Sequence, residues 1–157
     1  MSDGYIDGYK IAADELAMKI HETGVDQDYL VYPIVFLYRQ HLELILKSII
    51  KVSKQSLGIL DDEQSNSHNL NGLWFKSKEL VEKISDQDHS KEIEFIDHII
   101  SEYNRYDHHS RAFRYPENRK GKKPNENIKH INTRHLSEMV NRASDVLDAF
   151  QLGIKYQ

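Results

Sequence analysis

The sequence predicts an all-α, up-and-down bundle of five helices, and three observations predict it. The stretch from Val31 to Val52, VYPIVFLYRQHLELILKSIIKV, is apolar on more than one face, as a helix surrounded by others must be. Four further segments repeat their apolar residues at helical spacing. Turn-forming clusters of Gly, Ser, Asn and Asp separate the segments.

The first helix is expected over residues 5–22, with Tyr9, Ala12, Ala13, Leu16 and Ile20 on one face and Gly24 ending it. In the second, Val31, Ile34, Val35, Tyr38, Leu42, Ile45, Leu46 and Ile49 follow the i, i+3, i+4 rule. Leu37, Leu44 and Ile50 widen that face, leaving Gln40, Glu43, Lys47, Lys51 and Lys54 as a narrow polar strip. Pro33 suits the first turn, where its missing N–H costs nothing. Residues 55–68 read as a polar loop, after which Ser67 or Asn69 caps a third helix. Its core face is Leu70, Leu73, Trp74, Leu80, Val81 and Ile84. A turn at Ser85–Asp88 leads into a fourth helix from Ser90 to Arg105, with Ile93, Ile96, Ile99, Ile100 and Tyr103 inward. The last helix, Thr133 to Leu152, turns Leu136, Met139, Val140, Ala143, Val146, Leu147 and Phe150 to one side.

With 157 residues the chain is expected to form one domain, residues 1–157, large enough for a real core. It has no cysteine, which excludes a disulfide framework, a thiol nucleophile and a thiolate metal site. The longest uncharged apolar run, Tyr29 to Tyr38, is about half of the ~20 residues a membrane span requires. The start, MSDGYIDGYK, is acidic and unlike a signal peptide, so the expectation is a cytoplasmic protein that does not enter a membrane.

The net charge of −4 conceals a division. Residues 105–134 hold nine Lys or Arg against three acids, a local +6, which leaves −10 on the remainder. Such polarity speaks of partners more than of fold. Most of this basic stretch lies between the fourth and fifth helices, from His108 to Asn132, where Pro116, Gly121 and Pro124 forbid a continuous helix. Arg111–Tyr115 and Ile128–Asn132 suit either a short β-hairpin or a plain loop. A connection this long within a compact bundle is more often functional than not.

Tyr103, Tyr106, Phe113 and Tyr115 interleave with Arg105, Arg111 and Arg114. Aromatic rings stack on bases and guanidinium groups grip phosphate, which is the chemistry single-stranded nucleic acid asks for. The same residues equally suit covering the end of the bundle, with the arginines on carboxylates. The nine histidines include no HExxH pair and no carboxylate-backed set, so no metal site is expected. Neither a Gly-rich phosphate loop nor a GxSxG elbow occurs. Arg39 and Glu43, four apart, have the spacing of a helical ion pair; His41 reads as a core-edge histidine and His68 as part of the third helix's cap.

RQHLELILK in the second helix, SHNLNGLW at the start of the third and SRAFRYP after the fourth together resemble small bacterial HEPN-like proteins. Those typically carry Leu-Glu-Leu-x-Leu-Lys, His-x-Leu-x-x-Leu-Trp and Phe-Arg-Tyr-Pro segments in that order, and here the likeness runs in patches from Tyr32 to Pro116. The resemblance implies a helical bundle, commonly a homodimer, that binds RNA or a nucleotide phosphate or cleaves RNA without metal or other cofactor. It also implies a toxin–antitoxin or phage-defence setting, with an antitoxin or other protein as partner. The nucleases of that superfamily place a His four to six residues after an Arg, so that the imidazole moves protons while the guanidinium steadies the phosphate. No such spacing occurs in this chain; Arg105 with His108 and His109, two and three residues between, comes nearest. The candidate catalytic residues are therefore Arg105, His108 and His109. The candidate nucleic-acid contacts are Arg111, Arg114, Tyr115 and Lys120, with Arg105 also placed for phosphate. A non-enzymatic interaction domain, whose basic insertion meets an acidic protein, is the remaining reading.

Overall fold

The computed structural model describes residues 3–60, 67–106 and 131–157. They form five α-helices: α1 (Asp3–Thr23), α2 (Gln27–Ser56), α3 (Leu70–Ile84), α4 (Ser90–Tyr106) and α5 (Thr133–Lys155). No strand occurs among the described residues. Each helix packs on the next in sequence, and α5 closes the bundle by returning to α2 and α1. The hairpin or loop expected over residues 111–132 lies almost wholly outside the described residues, as does most of the basic stretch.

The long α2 is the centre. All eight residues of its predicted face have 0 % exposure. Each large aliphatic side chain of this face contributes ~1.5–3 kcal/mol by leaving water. The polar strip behaves differently from expectation, since Glu43 and Lys54 are buried within it. His41 lies fully inside the core, beyond the edge position expected of it.

α1 ends at Gly24, whose φ of 66° puts it in the left-handed region and whose N–H reaches the Ile20 carbonyl (2.7 Å). Its buried face is Ile6, Ala13, Ala17 and Ile20; Ala12, expected inward, is exposed. Packing against α2 and α5 sets the rotation that leaves Ala12 outside. Asp26 is also left-handed, and its carbonyl accepts from the Leu30 N–H (2.9 Å), so α2 starts at Gln27. Pro33 therefore sits as the seventh residue of α2 rather than in its first turn, and its ring removes the hydrogen bond a helix would otherwise give the Tyr29 carbonyl.

The Asn69 side chain caps α3, accepting from the N–H groups of Asn71 (3.0 Å) and Gly72 (3.4 Å). Its apolar face buries Leu70, Leu73, Trp74 and Val81, with Ser77 bonded to the Leu46 carbonyl of α2. Trp74 donates its indole N–H to Asp97 of α4 (2.6 Å). α4 turns Ile96, Ile99, Ile100 and Tyr103 inward. It meets α5 through Phe95, over whose ring the Arg142 guanidinium lies at 4.8 Å. Asn132 caps α5, and Gln27 at the start of α2 accepts from Thr133 and donates to the Ile131 carbonyl (3.0 Å). The start of α5 is thus tied to the start of α2.

Candidate functional site

Polar side chains enter the core at several places among the described residues, and three of these centre on Tyr38, His41 and Glu43. In the first, Tyr38 of α2 donates its hydroxyl to Asp14 of α1 (2.5 Å) and accepts from Ser137 of α5 (2.8 Å), while Asn141 also donates to Asp14 (2.8 Å). Burial and the Asp14 charge both raise the Tyr38 pKa, so the phenol stays protonated. Burial pushes the Asp14 carboxyl up, but its bonds to Tyr38, Asn141 and Lys10 outweigh it and hold it below the ordinary range. In the second, His41 donates through Nδ1 to the Ile6 carbonyl (2.7 Å) and accepts at Nε2 from Ser144 (3.0 Å). That pattern fixes one neutral tautomer, and burial lowers the His41 pKa. The hydrogen bonds of both groups tie α1, α2 and α5 together.

The third place is open. Glu43, 1 % exposed, receives three donors: Arg39 Nη1 (3.2 Å), Lys47 Nζ (2.9 Å) and His68 Nδ1 (2.8 Å). Arg39 is itself fully buried, and its Nη2 donates to the His68 carbonyl (2.5 Å), so α2 holds the approach to α3 by main chain and side chain together. Burial raises the Glu43 carboxyl, but Lys47 and His68, by hydrogen bonds and then by charge, more than offset it, and the group is held below its ordinary range. It is a fixed anion at neutral pH. His68 differs from its neighbours in being 53 % exposed. With Nδ1–H committed to Glu43, its Nε2 makes no hydrogen bond among the described residues. A buried carboxylate thus sets the orientation of an imidazole that is itself more than half exposed. That arrangement can donate to or accept from a phosphate, and it can move a proton.

Near the other end of α4, a cavity of about 230 Å³ opens between α2, α4 and α5. Val35, Ile99, Leu136, Met139 and Val140 form its apolar wall. His98 and Glu102 of α4 and His135 of α5 stand around it.

Of the candidate catalytic and nucleic-acid-binding residues, only Arg105 lies among those described. It is on the last turn of α4, 74 % exposed, and its Nη1 meets Glu102 Oε1 at 3.2 Å. Arg134, at the other end of the basic stretch, pairs with Glu138 at 3.4 Å, also in solvent. Exposed pairs of this kind contribute about 0–1 kcal/mol, so either arginine can exchange its carboxylate for a phosphate. His108, His109, Arg111, Arg114, Tyr115 and Lys120 lie outside the described residues. The pairing of Arg39 with Glu43 follows the spacing in the sequence; the capture of His68 by Glu43, 25 residues away, carries no local signal. Its only trace is that Glu43 and His68 belong to two of the three segments behind the HEPN-like resemblance.

Among the described residues no three His, Asp or Glu side chains come together to hold a metal ion, and no helix is long and apolar enough to cross a membrane. Comparison with protein-family models, curated proteins and solved structures finds no match to this chain.

Proposed function

We propose that this chain is a HEPN-like helical module that binds RNA or a nucleotide phosphate, with His68 at the centre of the binding site. The observation that carries the proposal is the Glu43–His68 hydrogen bond, which brings LELILK and HNLNGLW to one point and leaves an oriented imidazole in solvent. Lys47, part-exposed beside Glu43, offers a cation at that point for an anion to meet. The basic stretch between α4 and α5 supplies the further cations, with Arg105, Arg111, Arg114 and Lys120 on phosphate and Tyr115 stacked on a base. Homodimerisation and a defence or toxin–antitoxin role, with an antitoxin or other protein partner, follow from the resemblance and belong to the same reading.

The same imidazole favours a second reading, metal-independent cleavage of RNA. In it, His68 Nε2 takes the proton of a 2′-OH, the 2′ oxygen attacks the adjacent phosphorus, and the departing 5′ oxygen is protonated by a second acid. His108 or His109 with Arg105 is the competing catalytic pair. One experiment tests both readings: a labelled single-stranded RNA is mixed with the protein in EDTA, and binding and cleavage are followed for wild type, His68→Ala, Lys47→Ala and the double variant His108→Ala/His109→Ala. Binding weakened by the His68 and Lys47 substitutions supports the module. Cleavage lost only in His68→Ala assigns the chemistry to that residue, and loss only in the double variant assigns it to the other pair. RNA affinity indifferent to His68 and Lys47 rejects the proposed centre.

A further inference from the structure

We infer that the cavity between α2, α4 and α5 is a binding site for a nucleobase carrying an exocyclic amine. This goes beyond the phosphate-binding reading and rests on different helices. The cavity's 230 Å³ is below the ~300–1,000 Å³ of sites for drug-sized ligands, and suits a single ring system. Its wall is aliphatic and thioether, Val35, Ile99, Leu136, Met139 and Val140, which welcomes a flat apolar face. The polar groups around it then narrow the choice. Glu102 places a carboxylate there, which repels a free anion and rewards an N–H donor. His98 from α4 and His135 from α5 add two imidazoles, each able to stack on a ring or to hydrogen-bond its edge. An aliphatic guest would gain nothing from Glu102 or the imidazoles, and a phosphate would meet the carboxylate. A planar, neutral heterocycle with an amino group satisfies all of them.

The Glu102 carboxylate is shared with Arg105 at 3.2 Å, in solvent, so the guest's amine has only a weak competitor to displace. The site therefore borders the basic stretch's first residue, and base recognition here would add to phosphate contacts made by that stretch.

The test uses nucleosides, which lack phosphate, so that its outcome is independent of the phosphate reading. Adenosine and uridine are titrated into the full chain while the imidazole C–H signals of the histidines are followed by nuclear magnetic resonance. The expected result is a saturable shift of the His98 and His135 signals with adenosine, no shift of His68, and uridine weaker by about tenfold, the usual size of one lost hydrogen bond to a charged group. Glu102→Ala, at a part-exposed position, should abolish the preference for adenosine, and Met139→Trp, which fills the cavity, should abolish binding. Absence of a saturable shift at His98 and His135, or adenosine and uridine binding alike, overturns the inference. So does binding that Met139→Trp leaves intact in a variant whose helical circular dichroism matches wild type.

Discussion

Glu43 shows how much one buried anion can organise. Removing its carboxylate leaves Arg39 in the core without it and releases His68, and losing one partner of a buried pair typically costs about 3–5 kcal/mol. Glu43→Ala is therefore expected to lower the unfolding free energy by that amount in a urea titration. Glu43→Gln, which keeps the shape but removes the charge, should cost nearly as much; a much smaller loss would mean that packing, not charge, is what Glu43 supplies. His41 carries a prediction of opposite chemistry. Burial keeps it neutral, with a pKa below the ordinary 6.5, so the unfolded chain binds a proton that the native state refuses. Stability should then fall as pH drops below about 6.5, by up to ~1.4 kcal/mol per pH unit. Asp14 and Glu43, whose folded pKa values are depressed, lose their contributions only at lower pH, beneath the ordinary 3.8 and 4.5. Unfolding measured at pH 7 and 5.5 should show the loss in wild type and a flatter response in His41→Gln. An unchanged slope in that variant would remove His41 as the cause. Of these residues, the sequence announces the Arg39–Glu43 spacing and nothing more. The partners of His41 and His68 come from helices and turns far along the chain, and no local pattern encodes them.

Among the elements, the helices whose faces are most regular were the most legible. The period of α2 places its eight inward residues correctly because a wide aliphatic face has one way to be buried. α1 is less regular: with Ala12, Ala13 and Ala17 close together, small side chains do not decide the rotation, and contact with α2 and α5 does. The start of α2 was misplaced because the left-handed Asp26 begins the helix before the proline, against the preference for proline in the first turn. The α3–α4 contact gives the prediction at this scale. Trp74 is 4 % exposed and bonded to Asp97, so Trp74→Ala should cost about 3–5 kcal/mol, mostly through the cavity it leaves. Asp97→Ala, which spares the ring, should cost far less because Asp97 is itself exposed. Reversal of that order in thermal or urea unfolding would make the hydrogen bond, rather than the indole's bulk, the tie between these helices.

For the whole molecule the governing fact is the uneven charge, +6 over residues 105–134 on a scaffold of −10. The division was legible from composition alone, whereas the His68 site was not, because charge is summed along a chain while a site depends on which distant residues meet. The division also sets how RNA binding should respond to salt. At about 0.01 M the screening length is ~30 Å, larger than the ~15 Å radius of gyration of a domain this size, so an RNA strand feels the net −4 as well as the basic stretch. At about 0.15 M the length is ~8 Å, and only the nearest charges act. Counterion release from a single strand gives a slope of log affinity against log salt near −0.7 for each phosphate contact, so ~5 contacts give about −3.5. The expected plot therefore bends: near −3.5 above about 0.1 M and shallower below it, where repulsion from the scaffold offsets attraction to the basic stretch. Lysine or arginine replaced by glutamine at 111, 114 and 120 should lower the high-salt slope by about 0.7 for each contact removed. A response that is flat at every concentration would remove electrostatic binding. A slope steepest at the lowest salt would instead mean that the scaffold's acids stand too far from the RNA path to oppose it.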